Sequence, residues 1–411
     1  MRDFDIIIVG AGPAGAAAAT HLARRGWRTL LIDKAAFPRD KVCGEALSPA
    51  AAPLLDGLGV RTEIERMAFR LKGLRLVSPE GGACEGHYPQ LPGLPDYGFS
   101  LPRLVFDPVL IAAAQRAGAD FRERTEAKEL LWDGDRCVGI RTDSGPLTAH
   151  AVLLAEGRFS RLHPRLHRSV RPPASRRRVF VATFEGVAGL TDLLELTVRH
   201  GRIQTILSPQ GGQRAALSAV LTGGEAAPFG APPLAGFVRL LRADPTLGER
   251  LANAEAVSPL KGLTLDPYVG DPVPADGLVA IGDSTGFFDP LTGEGMYRAL
   301  RSAELAASAL NTALSRGEPT RRALAGYRQA MEREFAWTYR FVRAVVRLTG
   351  WSPGVNLAVR ALARRPDLTS RMAAYQGAML PAERFFPDLA RLALSPRTWL
   401  QACRATLPLR R

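Results

Sequence analysis

Residues 4–34, FDIIIVGAGPAGAAAATHLARRGWRTLLIDK, open with an unbroken apolar run from Ile6 to Val9. A strand buried on both faces needs such a run. Three glycines follow, then an Ala-rich stretch, then a second apolar run from Thr29 to Ile32. The pattern predicts strand, tight turn, helix from Pro13 to about Arg25, and strand, with Gly26 stopping the helix. AVLLAEGRFSRL (151–162) reads as another buried strand, ended by Glu156-Gly157 with Ser160 and Arg161 after it. GLVAIGDSTGFFDPLTGEGMYRALRSAELAA (277–307) reads as a strand, Gly282-Asp283, a Pro- and Gly-rich loop, and an Ala-rich helix from near Gly295. Arg103 and Asp107 stand at the start of a helix in LPRLVFDPVLIAAAQRAGADF (101–121).

Between these segments the pattern changes. ELTVRHGRIQTILSPQGGQRAALSAVL (195–221) is strand-like, RPPASRRR (171–178) suits a crossing between domains, and TGGEAAPFGAPP (222–233) suits a surface loop. Residues 321–411 are helical and basic. In FAWTYRFVRAVVRLTGW, Arg340, Arg343 and Arg347 form one helical stripe, while Trp337, Phe341, Val345 and Leu348 form another. That pattern fits a helix lying on a membrane surface. It fits equally a helix capping a domain with its arginines in water, the commoner arrangement.

The net charge of +14 changes this picture little. Lys34, Lys41, Lys72, Lys128 and Lys261 are the five lysines among 54 basic residues, leaving 49 arginines scattered along the chain. No nucleic-acid-binding signature accompanies them, so no nucleic-acid partner is expected. The four cysteines form no C-x-x-C pair, and His163 and His167 have Pro164 between them and no third ligand. Neither a disulfide framework nor a metal site is expected. With no leader-like segment and no apolar run of spanning length, the expected location is the cytoplasm, with peripheral contact at the inner membrane face as the variant reading.

Gly10, Gly12 and Gly15 give G-x-G-x-x-G in the strand–turn–helix context that a dinucleotide site requires. The first allows the turn, the second lets backbone approach a pyrophosphate, and the third lets helix pack on strand. Pro13 and Ala14 open the helix, whose N-terminal amides favour an anion. Asp33, an acid at the end of the second strand, favours an adenosine without a 2′-phosphate, hence FAD or NAD. Asp283, at the end of a later strand with a helix N-terminus behind it, tips the choice to FAD.

Together these three segments resemble the group A flavoprotein hydroxylase superfamily, with its p-hydroxybenzoate hydroxylase-like fold. Glu156 stands where that family usually has Asp. The resemblance implies an α/β chain: a Rossmann-like FAD-binding domain (1–75, 101–170 and 260–320) with an inserted antiparallel β-sheet substrate domain (76–100 and 171–259) and a C-terminal helical region (321–411). It adds Lys34, Arg39, Cys43, Gly44, Arg103, Gly157, Gly282, Pro290, Gly293, Gly295 and Met296 to the cofactor-binding set. With one glycine fingerprint in the chain, NAD(P)H is expected as a transient reductant without its own domain.

FPRDKVCGEALSP (37–49) is similar to a stretch of the geranylgeranyl reductase-like branch, and to one group of bacterial hydroxylases acting on phenolic lipids and polyketides. By that likeness Cys43 and Glu45 border the substrate and are the catalytic candidates. The segment 195–221 lacks the Tyr-x-Trp-x-Phe-Pro type aromatics of geranylgeranyl reductases. The expected reaction is therefore NAD(P)H- and O₂-dependent hydroxylation of a lipophilic phenolic, polyketide or lipid-like molecule. Reduction of prenyl C=C bonds is the alternative. Halogenation comes third, because the W-x-W-x-I-P segment and active-site Lys of halogenases find no match. The oligomeric state is not legible.

Overall fold

The computed structural model of the protein describes residues 2–159, 162, 167–169, 177–199, 202–223, 233–287, 289–385, 387 and 388. Ser160, Arg161, His163, the side chain of His167, most of the crossing segment 171–178 and most of the loop 222–233 lie outside the described residues.

The apolar runs of the N-terminal half assemble into one sheet. Asp120–Arg122, Thr29–Ile32, Phe4–Val9, Gly145–Leu154 and Leu278–Ala280 lie side by side, all parallel. Ile6, Ile7, Ile8, Val152 and Leu153 are fully buried, as runs without alternation require. Gly145–Leu154 serves two partners in turn. Its first residues pair antiparallel with Arg136–Thr142, and Ala149 to Leu154 pair parallel with Phe4 to Val9. Glu129–Asp133 completes that meander.

The first helix, Pro13–Ala23, is built almost wholly of buried small residues, Ala16 to Ala19 among them. Small side chains let it approach the sheet and the helices Arg103–Arg116 and Gly295–Ser315 closely.

A second sheet runs Glu255–Ala256, Arg177–Glu185, Arg214–Thr222, Ile203–Gly211, Leu193–Arg199, Gly73–Val77, Ala83–His87, and Lys261–Thr264 also pairs with Arg177–Glu185. It is mixed rather than purely antiparallel, because Leu193–Arg199 and Gly73–Val77 pair in parallel. The strands Gly73–Val77 and Lys261–Thr264 lie wholly in this sheet, so the division placed at residue 75 falls inside a strand and that at 260 falls just before one. Phe237 and Leu241 of the helix Pro233–Arg242 cover one face, packing on Phe184, Leu217 and Leu251.

The C-terminal helices fold back over this sheet. Val355, Val359 and Leu362 of Ser352–Ala363 pack on Cys84 and Val198. Ala373 of Pro366–Gln376 meets Tyr88, and Phe341 of the long helix Ala325–Thr349 meets Tyr375 and Phe385. The inward side of the amphipathic helix is thus packed within the chain. Among the described residues, no helix is long and apolar enough to cross a membrane.

Candidate functional site

Where the parallel sheet, the second sheet and the long helix meet, they enclose a cavity of about 1340 Å³. Its floor is the glycine turn. Gly10 has φ +106°, and a Cβ there would stand 2.4 Å from the Ala155 carbonyl oxygen. A Cβ on Gly15 would stand 1.8 Å from the Gly10 carbonyl oxygen, so any side chain there would push helix off strand. Gly12 presents its backbone to the cavity, beside the Arg39 and Arg103 guanidiniums.

Asp33 is nearly buried. Its two carboxylate oxygens accept the amides of Ala11 and Ala35, each at 2.9 Å. Those bonds fix the carboxylate at the cavity edge while leaving each oxygen a further lone pair for a hydroxyl. Arg39 lies 3.7 Å from Asp33 and 3.9 Å from Asp107. Arg103, one turn before Asp107, is buried and donates to it from two nitrogens at 2.6 and 2.7 Å. Lys41 also faces the cavity, its charge disfavoured first by burial and then by Arg103. Three cations above a glycine turn and a helix N-terminus make a cradle for an extended, phosphate-bearing anion. A Cβ added to Gly44 would touch nothing within 4 Å, so the backbone there borders open space.

Two loops bring carboxyls to the cavity. In the first, Glu45 is buried with φ +59°, a left-handed conformation that costs an L-residue about 1–2 kcal/mol. Hydrogen bonds hold it there. Its amide donates to Cys43 Sγ at 3.3 Å, and its carboxylate accepts from the Arg103 amide at 3.4 Å and from Gln210 Nε2 of the second sheet. Burial raises its pKa against the pull of those donors.

In the second loop, Asp289 caps the short turn Pro290–Thr292 by accepting from Leu291 N, and pairs with the buried Arg177 of the second sheet. Arg177 also donates to Gln204 at 2.6 Å. Thr292 is held from outside: its carbonyl accepts from Gln376 Nε2 at 3.1 Å, and Gln376 Oε1 accepts from Tyr88 at 2.8 Å. Glu294 follows, half-buried between Gly293 and Gly295 at the N-terminus of Gly295–Ser315. Among the described residues nothing donates a hydrogen bond to its carboxyl, which faces the cavity. Burial pushes its pKa up to about 8, against the opposing charge of Arg298 one turn along. Leu194 and Ile206 from the second sheet and Val342 from the long helix add apolar side chains to the cavity lining.

The structure brings most of the expected residues to this one cavity: Gly10, Gly12, Pro13, Ala14, Asp33, Lys34, Arg39, Cys43, Gly44, Glu45, Arg103, Gly157, Asp283, Pro290, Gly293, Gly295 and Met296. Gly15 and Gly282 sit behind it. Gly15 permits the helix contact. Gly282, with φ +59°, lies where a Cβ would be 3.0 Å from Ala14 Cβ. Glu156 also faces the cavity. Lys41, Asp289 and Glu294 were missed, although all three stand inside segments read for their glycines and for Cys43. The signal for Glu294 was its place between two glycines at a helix start. No sequence signal tied Gln210, Thr338 or Val342 to the site, because they arrive from distant elements.

Residues 3–171 match the FAD binding domain family. A menaquinone reductase of Mycobacterium tuberculosis is 31% identical over 75% of this chain and 76% of its own length. Digeranylgeranylglycerophospholipid reductase 2 of Methanopyrus kandleri is 26% identical over 89% and 91%. Among solved structures, the myxobacterial chondrochloren halogenase CndH, a variant of FAD-dependent halogenases, superposes with a TM-score of 0.76 at 26% identity, covering 83% of this chain and 82% of that one.

Proposed function

Because the chain belongs to the group A flavoprotein family, it is an FAD-dependent oxidoreductase, and we propose that it reduces carbon–carbon double bonds in a long apolar, isoprenoid-like substrate, with NAD(P)H as transient electron donor. The observation that carries this reading is Glu294. Its carboxyl faces the cavity, accepts no hydrogen bond among the described residues, and is pushed by burial up to a pKa of about 8. An alkene reduction needs one proton donor beside the acceptor carbon, and a carboxyl with a pKa near 8 is matched to that task. The digeranylgeranylglycerophospholipid reductase reported above is named for an isoprenoid lipid, which supports this reading. An isoprenoid substrate also suits a cavity walled by Leu194, Ile206 and Val342.

The residues present fit FAD. The glycine turn and first helix would take its pyrophosphate, and the second lone pairs of Asp33 its ribose. Arg39, Lys41 and Arg103 would neutralise its phosphates, and the open backbone at Gly44 would border its ring. When bound, the flavin supplies the two-electron, hydride-type chemistry. The chain's own part is to orient and protonate. Glu294 holds the proton and transfers it from its carboxyl to the alkene carbon. The apolar wall excludes water that would otherwise lower the carboxyl's pKa. Glu45, tied to Gln210 and the Arg103 amide, fixes the loop that carries Cys43.

The test is a single turnover of the FAD-loaded, reduced protein without oxygen, in deuterated water, with a geranylgeranyl lipid in detergent. The expected product is saturated at one bond or more and carries solvent deuterium at each reduced bond. Glu294→Gln should slow its formation roughly 10²–10⁴-fold with flavin binding unchanged. No saturated product, together with incorporation of isotopically labelled O₂ into the lipid in air, would replace this reading with hydroxylation.

A further inference from the structure

The helix Ala325–Thr349 has two faces with different business. Thr338 and Val342 look inward and line the cavity. Arg340, Arg343 and Arg347 look outward and are exposed. One turn beyond Arg347, Trp351 is 61% exposed, and Leu357 on the next helix is 42% exposed. The indole packs against the start of Ser352–Ala363, for a Cβ on Gly354 would come within 2.2 Å of Trp351 Cε3. Large exposed apolar side chains that follow a basic stripe along the chain ask for a covering surface.

The charge pattern says which kind. From Phe335 to Pro366 there are six arginines and no Asp or Glu. Arg360 and Arg365 find carboxylates at the edges, in Glu80 and Asp367. Among the described residues Arg340, Arg343 and Arg347 pair with none. Arg340 and Arg343 stack on the aromatic rings of Trp337 and Tyr339, 4.6 and 5.6 Å from the ring centres. Stacking leaves the edge of a guanidinium, where its N–H donors are, available to phosphate oxygens. Indole and leucine reaching the headgroup boundary beside arginines that meet phosphates is the chemistry of an interfacial helix.

We infer that this surface docks on a bilayer bearing anionic lipid, so that the cavity behind Thr338 and Val342 opens toward the membrane in which a long apolar substrate is dissolved. The inference rests on the substrate class proposed above and adds where that substrate comes from. A helix that is membrane-facing on one side and cavity-lining on the other shortens the transfer to one helix thickness, about 10 Å.

Co-sedimentation of the full-length, FAD-loaded protein with phosphatidylcholine vesicles, with and without phosphatidylglycerol, tests it. Binding is expected to require phosphatidylglycerol and to fall with salt. Each arginine contributes about 1 kcal/mol at such a surface, so the triple variant Arg340→Gln/Arg343→Gln/Arg347→Gln should lose on the order of 100-fold in partitioning. Trp351→Ser/Leu357→Ser should also weaken binding, and both variants should keep bound flavin and helical content. Binding that ignores phosphatidylglycerol and these substitutions overturns the inference. So does a wild-type protein that leaves vesicles alone but forms dimers that the same substitutions dissociate, since the occupant would then be a second copy. Turnover of detergent-dispersed geranylgeranyl lipid, measured in parallel, separates the two ideas. Turnover without vesicle binding refutes docking alone, and vesicle binding without turnover refutes the substrate class while docking stands.

Discussion

Residues 39–47 and 289–296 both contribute to the lining of one cavity, and each carries a glutamate beside a glycine. The first loop is wired. Glu45 is held in a left-handed conformation by Cys43, Arg103 and Gln210, and its proton affinity is a contest between burial and donors. The second loop is clamped at Asp289 and at Thr292, but among the described residues nothing donates a hydrogen bond to the Glu294 carboxyl. The difference teaches that burial alone does not define a proton donor. What separates the two carboxyls is whether hydrogen bonds have already been committed to the ionised form.

Removing the clamp should have the largest effect on the molecule. Arg177→Met strands Asp289 as a buried carboxylate and should cost about 3–5 kcal/mol in urea unfolding. Arg177→Met/Asp289→Leu should recover much of that loss. If the single variant unfolds at the wild-type midpoint, the second loop is not held from the substrate sheet.

The pH profile sharpens the contrast between the carboxyls. Turnover that depends on protonated Glu294 should be flat below its pKa of about 8 and fall as pH rises through it. Stability follows the same sign. The folded form keeps a proton that the unfolded form, with an ordinary value of 4.5, has given up, so the contribution of Glu294 is full below 4.5 and declines as pH rises toward 8. Glu294→Gln should flatten both curves, while Glu45→Gln should leave the high-pH fall in turnover in place. A fall that moves with Glu45 instead would reverse the assignment.

Smaller effects are expected on the wired side. Glu45→Gln keeps an acceptor for the Arg103 amide but sets an amide against Gln210, and should lower turnover within about tenfold. Cys43→Ala removes one weak acceptor of the Glu45 amide and should change turnover only a few-fold. A loss as large as that of Glu294→Gln at either position would make the first loop the proton source.

The parallel sheet and the glycine turn were legible in the sequence because their causes are local. Ile6 to Val9 have no polar alternation, Gly10 and Gly15 stand where a Cβ would collide with the backbone, and Asp33 follows its strand at once. Neighbouring residues determine such features, so a linear reading finds them. Cys43, Gly44 and Glu45 were placed at the site from a likeness, and the structure does bring them to the cavity. The second sheet was expected to be antiparallel, and the parallel pairing of Leu193–Arg199 with Gly73–Val77 joins segments more than a hundred residues apart. Glu294 was passed over because its significance is not in its neighbours. Its raised proton affinity comes from burial at the cavity, whose lining includes Leu194, Ile206 and Val342, brought from three separate elements. The desolvation of a carboxyl is a property of the volume around it, and only tertiary packing creates that volume.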